Sequence, residues 1–274
     1  MRSRKLGQRL KAIREERGLT RDAAARMLHR TPSSLSKLET GKRGIRRPAL
    51  EYMLDRYEIT DLREREDLFH LADQAADKGW WHRYQGTLLA STVDYIALEN
   101  EADSIRSFQL HLVPGLLQIE GYARAIMGIG ASQGKPVDVD AMTTVRLRRQ
   151  RVLARPRPPQ VSAVISEAVL RQEIGGAEIM DGQLRHLAEV SEMDHLTVRI
   201  LPFSAGVHAG LNGSFSILDT RDLSVVLVEN LTAGWYLEAE EDVRRHDWAF
   251  QQVLENSLSA SDSLTLIEKL RSEI

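Results

Sequence analysis

Cysteine is absent from all 274 residues. That absence removes thiol catalysis, thiolate metal sites and disulfide scaffolding together, and it fits a reducing cytoplasm, the expected location. No run approaches the roughly 18 uninterrupted apolar residues of a membrane-spanning helix, so no membrane crossing is expected. The opening MRSRKLGQRLKAIREERG is basic. No apolar h-region follows it, and secretion is not expected. Internal repeats and low-complexity tracts are missing as well. Residues 78–274 hold His82, His111, His186, His195, His208 and His246, but no HxxxH or HxH pair, which leaves a metal site with little support. Their only lysines, Lys78, Lys135 and Lys269, fall in no expected strand. A Ser-Lys self-cleaving dyad therefore finds no base, although Ala205-Gly206, Ala209-Gly210 and Ala233-Gly234 offer Ala-Gly bonds. Ser204 and His208 stand four apart in a Gly-containing loop, but a nucleophile needs a base and a third orienting group, and a pair in sequence does not show that geometry. The chain reads as a non-enzyme without a cofactor or metal.

What is present is ordinary in bulk and uneven along the chain. Apolar residues make up 42% and charged ones 28%, which excludes a disordered tail, a collagen-like chain and a disulfide scaffold. At roughly 100 to 200 residues per domain, the length suggests two domains. The net charge of −2 conceals a division: residues 1–57 carry 16 Lys plus Arg against 6 Asp plus Glu, a net +10, and the remainder carries 21 against 33, a net −12. A basic head on an acidic body points the head toward a polyanion.

The head parses into five short helices. Leu6, Leu10 and Ile13 recur at helical spacing over residues 5–16 and stop at Gly18. Thr20 caps a second helix through Ala23, Ala24, Ala25 and Leu28, and Thr31 caps a third with Pro32 at its first position. Pro48 opens a fourth through Leu50, Met53, Leu54 and Tyr57. Thr60 caps a fifth whose buried face is Leu62, Leu68, Phe69 and Ala72. A change of texture near residue 77 divides the chain into domains 1–77 and 78–274. The second begins with Trp80, Trp81 and Tyr84, then a helical run through Val93, Ile96, Ala97 and Glu101. Strands are expected at 105–110, 161–166, 196–201, 213–218 and 223–228. Helices are expected at 141–153, at 179–191 and over the last 40 residues, and loops at 128–140 and 155–159. The fold class is thus an all-α N-terminal helix-turn-helix domain plus an α+β C-terminal domain.

The stretch from Leu6 to Pro48, LGQRLKAIREERGLT followed by RDAAARMLHRTPSSLSKLETGKR, resembles the helix-turn-helix of the Cro/cI repressor type, the XRE family. Two departures stand out: Ala24 replaces a usual Leu, and His29 replaces a usual Gly at the turn between helices two and three. On a helical wheel Leu35 and Leu38 face the core, while Ser33, Ser36, Lys37 and Thr40 project oppositely. Those four are candidates for base edges in the major groove of double-stranded DNA. Arg21, Thr31, Lys42, Arg43, Arg46 and Arg47 are candidates for phosphate contacts.

Further along stand Trp80, Trp81, Tyr84, LVPGLLQIEGYARAI at 112–126, RLRRQ at 146–150 and the stretch from Leu201 to Phe215. With these, the whole chain resembles the WhiJ-like regulators of actinobacteria, which join such a head to a domain of unknown function. The resemblance implies an antitoxin-like, sequence-specific transcriptional regulator whose C-terminal domain binds a small acidic protein partner. A homodimer held through the body is expected, since one head covers only half a site and the C-terminal helical stretch carries more apolar positions than one contact face needs. The residues alone leave blander readings open. Trp80 and Trp81 fit interdomain or core packing, Val113 to Tyr122 fits a turn and helix start, and the arginines at 146, 148, 149, 151, 155 and 157 fit a solvated helix face. The competing reading is a one-component sensor, with Phe215, Trp235 and Tyr236 around a small-molecule ligand.

Overall fold

The computed structural model describes residues 2–76, 79–84, 88, 90–131, 138–229 and 234–274. The contacts divide the chain into two compact units, Met1–His82 and Arg83–Ile274.

The first unit is all helix: α1 (Arg2–Glu16), α2 (Arg21–Met27), α3 (Pro32–Glu39), α4 (Arg47–Arg56) and α5 (Leu62–Ala76). Local chemistry sets the boundaries. Thr20 Oγ1 accepts the Ala23 amide at 3.2 Å and Thr31 Oγ1 accepts that of Ser34 at 3.1 Å, each offsetting a donor that the first helical turn leaves unpaired. Helix α5 is capped by Asp61, whose Oδ1 accepts from Arg63 and Glu64, and not by the expected Thr60. A carboxylate suits the positive end of a helix better than a hydroxyl. His29 takes up the left-handed conformation (φ 51°) between α2 and α3. The core gathers Leu6, Leu10, Ile13, Leu35, Leu38, Leu50, Leu54 and Leu68. Ala24 is fully buried, so the small side chain does pack. Leu62, expected inside, is 81% exposed at the first position of α5, where the helix has not yet reached the core.

The second unit is built on a six-stranded mixed sheet of order β3-β2-β1-β4-β5-β6. The strands are β1 (Ser104–Gln109), β2 (Gln160–Ser166), β3 (Leu196–Leu201), β4 (Phe215–Asp219), β5 (Ser224–Glu229) and β6 (Gly234–Leu237). Strands β1, β2 and β3 run parallel, while β4, β5 and β6 follow antiparallel to their neighbours. Helices α6 (Ala90–Glu101), α7 (Glu120–Ala131), α8 (Val139–Arg149), α9 (Glu167–Arg171), α10 (Ala177–Val190), α11 (Glu240–Glu255) and α12 (Ala260–Ser272) complete it. Because strand side chains alternate, the sheet has two cores. On one face Phe108, Phe215, Ile217 and Val226 pack on Phe250 and Val253 of α11. On the other Ile105, Val161, Ala163, Ile165, Val198 and Ile200 pack beneath α10 and α12. The α+β class is as expected, and the bounds differ in places. Of the loop expected at 128–140, residues 128–131 are the last turn of α7, 139–140 open α8, and 132–137 lie outside the described residues; α9 and β6 were not expected, and β6 takes residues 235–237 from the C-terminal helical stretch.

Candidate nucleic-acid interface

Helices α2 and α3 pack against each other and are joined by the tight turn at His29. Helix α3 buries Leu35 and Leu38 and leaves Ser33, Lys37 and Thr40 exposed, with Ser36 half-buried. The wheel is therefore right about which side faces inward. A surface groove of about 570 Å³ is lined by Thr20, Arg21, Asp22, Pro32, Ser33, Ser36, Lys37 and Lys42. It unites five of the ten sequence-derived candidates. Among the described residues Lys37, Lys42, Arg43 and Arg46 have no carboxylate within ion-pair distance, which leaves their charges free to meet a polyanion. The others are partly committed. Thr31 spends its hydroxyl on the α3 cap, and the Thr40 hydroxyl donates to the Ser36 carbonyl at 2.7 Å. Arg21 Nε stands 3.7 Å from Glu39. Arg47 pairs with Asp73 at 2.8 Å and lies over the Phe69 ring at 4.4 Å, so it ties α4 to α5.

One determinant was not read from the sequence. Arg14 of α1 meets Glu39 of α3 through Nε–Oε1 at 2.5 Å and Nη2–Oε2 at 3.2 Å, both side chains being buried, and its Nη1 donates to the Leu19 carbonyl at 2.7 Å. A fork-to-fork pair fixes angle as well as distance. It therefore sets where α3 projects from the body of the helices. The positions are 25 residues apart and on different helices, and no local pattern links them.

At the end of the first unit Trp81 is buried edge-to-face against Trp80, with centroids 5.8 Å apart, which agrees with the packing reading. In the second unit, the remaining aromatic and basic candidates are sorted differently from expectation. Phe215 and Trp235 lie on one face of the sheet and Tyr236 on the other, so the three do not share a pocket. His208 caps the Gly210 amide and packs on Phe108, while Ser204 is exposed. The arginine run is not a solvated face throughout. Arg149 forms a buried bidentate pair with Glu99 at 2.7 and 2.8 Å, Arg155 donates to the Asn100 and Ala102 carbonyls, and Arg146 turns inward onto Gln118. Positions 146 and 149 are one helical turn apart and share the inner side of α8. No group of His, Asp or Glu side chains among the described residues is arranged to hold a metal, and no described helix is long and apolar enough to cross a membrane.

Five helices around a buried core, three of them capped by side chains, with an exposed polar helix over a basic groove, define a helix-turn-helix regulator, here carrying a second, mixed α+β domain. A helix-turn-helix domain family matches residues 5–68, and a domain of unknown function, DUF5753, matches residues 92–269. The second match spans most of the chain, which thus belongs to the DUF5753 family. No curated protein and no solved structure matches it.

Proposed function

We propose that the chain is a sequence-specific transcriptional regulator whose α3 enters the major groove of double-stranded DNA. The observation that carries this reading is the groove itself: Ser33, Ser36 and Lys37 stand together with Arg21 and Lys42 on one surface. Lys37 reaches guanine acceptors and the serines read adjacent base edges, with Thr40 on the same face, while Arg21, Thr31, Lys42, Arg43 and Arg46 position the helix on phosphates. Arg47 adds charge from within its pair with Asp73. The protein works as a homodimer, with two heads on half-sites about one helical turn apart. Its C-terminal domain takes an antitoxin-like role by binding a small acidic protein. The exposed Trp248, 62% accessible beside an apolar groove on α11, favours such a partner.

The test compares two substitutions on a selected operator and on random duplex. Lys37→Ala is expected to lose about 1 to 3 kcal/mol on the operator and to relax discrimination at one base pair. Arg43→Ala is expected to weaken both duplexes alike. Equal losses on both duplexes from Lys37→Ala would remove it from base recognition, and no binding by the unsubstituted protein would remove the DNA reading altogether.

A further inference from the structure

A cavity of about 280 Å³ lies in the second unit, between one face of the sheet and the helices over it. On its sheet side a polar strip interrupts the apolar Ile105, Val161, Ala163 and Leu227. Ser107 and Ser216, paired across β1 and β4, hold their hydroxyls 3.1 Å apart, and Gln109 Nε2 donates to Ser107 Oγ at 2.9 Å. Met127 and Met142 contribute an apolar wall, and Arg146 and Arg149 a cationic one.

The two arginines differ in a way that decides what fits. Arg149 is neutralised by Glu99. Burial alone would lower its pKa, but the charge of Glu99 and its hydrogen bonds hold it above the ordinary arginine value. Arg146 has five N–H donors and spends one, Nη1, on the neutral Oε1 of Gln118 at 2.9 Å. The amide of Gln118 is fixed in that sense, because its Nε2 donates to the Val113 carbonyl at 2.7 Å. No carboxylate among the described residues lies within ion-pair distance of Arg146. Glu229 also lines the cavity, but it is solvent-exposed and forms no pair with that guanidinium. Burial first, and Arg149 second, pull Arg146 down to about 10, which still leaves it cationic at neutral pH. Gly115 lies against it so closely that a Cβ there would stand 2.7 Å from Nη1. The half-buried Arg146 guanidinium thus has donors left over and no carboxylate hydrogen-bonded to it, and Glu99 and Glu229 act on it only at longer range. A ligand that supplies a carboxylate at hydrogen-bond distance would complete it.

We propose that this cavity binds a small organic monocarboxylate, its carboxylate paired with Arg146 above the Ser107 and Ser216 hydroxyls and its apolar portion against Met127 and Met142. A single guanidinium without a hydrogen-bonded carboxylate, with Glu229 also on the lining, selects a monoanion over a phosphate dianion, and the planar guanidinium fork matches a carboxylate. The site goes beyond the DNA-binding reading and does not depend on it, since every residue of it belongs to the second unit.

The experiment titrates the full chain with straight-chain and aromatic monocarboxylates from acetate to octanoate and phenylacetate. Each is set beside its neutral primary amide, with inorganic phosphate and phenyl phosphate as further arms; binding is read by calorimetry and by the shift in thermal midpoint. At least one carboxylate is expected to bind, its amide about tenfold or more weaker, and neither phosphate arm better. Arg146→Met is expected to remove the difference between acid and amide, and the thermal midpoint of the unliganded variant records what the lost bond to Gln118 Oε1 costs. Gln118→Glu, which places an internal carboxylate beside Arg146, is expected to weaken the acid and spare the amide. The proposal is overturned if no carboxylate binds, if amides bind equally, if a phosphate arm binds best, or if both variants keep the full preference for the acid. DNA affinity measured on the same preparations keeps the two readings apart, because either can fail without the other.

Discussion

A methyl group on Gly7 would sit 2.3 Å from the Leu38 carbonyl oxygen and 2.7 Å from that of Glu39. Neither backbone atom can retreat without moving α3. Gly7→Ala is therefore expected to cost about 1 to 3 kcal/mol through overpacking, despite the higher helix propensity of alanine, and chemical denaturation followed by far-UV circular dichroism checks it. Glu39→Ala acts at the same crossing by a different route. It takes the bidentate partner from the buried Arg14 guanidinium, which keeps Glu15 at 3.1 Å and the Leu19 carbonyl, and a loss of about 1 to 3 kcal/mol is expected in the same measurement. At this scale the sequence was partly readable. The threonines before Ala23 and Ser34 announce their caps because the interaction is three residues long. Arg14 with Glu39, and Arg149 with Glu99, join positions far apart in the chain, and a dense run of arginines looks solvated until its distant partner is known.

Elements were legible in proportion to how much of their signal is local. Strands β1 to β5 stand out as branched alternating runs bounded by turn residues. Strand β6 (GWYL) is four residues long and opens on glycine, so pairing with β5 creates it where propensity does not. The end of α7 was hidden by Gly128 and Gly130, which usually interrupt helices and here continue one through its final turn. The joint between β1, β4 and β5 makes a pH prediction. Asp219 accepts from Ser104 Oγ at 2.7 Å, Ser224 Oγ at 2.6 Å and Arg106 Nη2 at 2.8 Å, and Arg106 also reaches Asp247 on α11. Burial would raise the Asp219 pKa, but these bonds and the Arg106 charge outweigh it and hold the carboxyl below its ordinary range. A depressed folded-state pKa stabilises the fold above the unfolded value and ceases to do so as pH falls through the folded one. The second unit is accordingly expected to lose stability below about pH 4, and Asp219→Asn to flatten that decline while costing on the order of 1 kcal/mol at pH 7. Thermal midpoints between pH 7 and pH 3 would reveal a persistent decline in the variant if the assignment is wrong.

Across the whole molecule, the division of charge gives the measurement most sensitive to the proposed function. Each phosphate neutralised contributes a slope of about −0.9 to log K against log salt, so several contacts from the basic head should make DNA affinity fall steeply as salt rises. A flat dependence would leave the +10 of residues 1–57 without a polyanion. The proposed homodimer is checked by sedimentation of the full chain at micromolar concentration, where a strict monomer would move pairing of the heads onto the DNA itself. The C-terminal helices spend Phe250, Val253, Ile267 and Leu270 internally, so little beyond Trp248 remains on them to hold two copies together. The place of β1 between β2 and β4 bears on the order in which the protein is made. Every helix of the first unit is closed by contacts within the first 82 residues, whereas Ser104 waits for Asp219, 115 positions later. A ribosome adding about 5 to 20 residues each second releases a finished helix-turn-helix several seconds before β1 gains its antiparallel neighbour. Any chain that ends before Phe215 keeps one edge of β1 unpaired, a template for aggregation that makes truncated products candidates for prompt degradation.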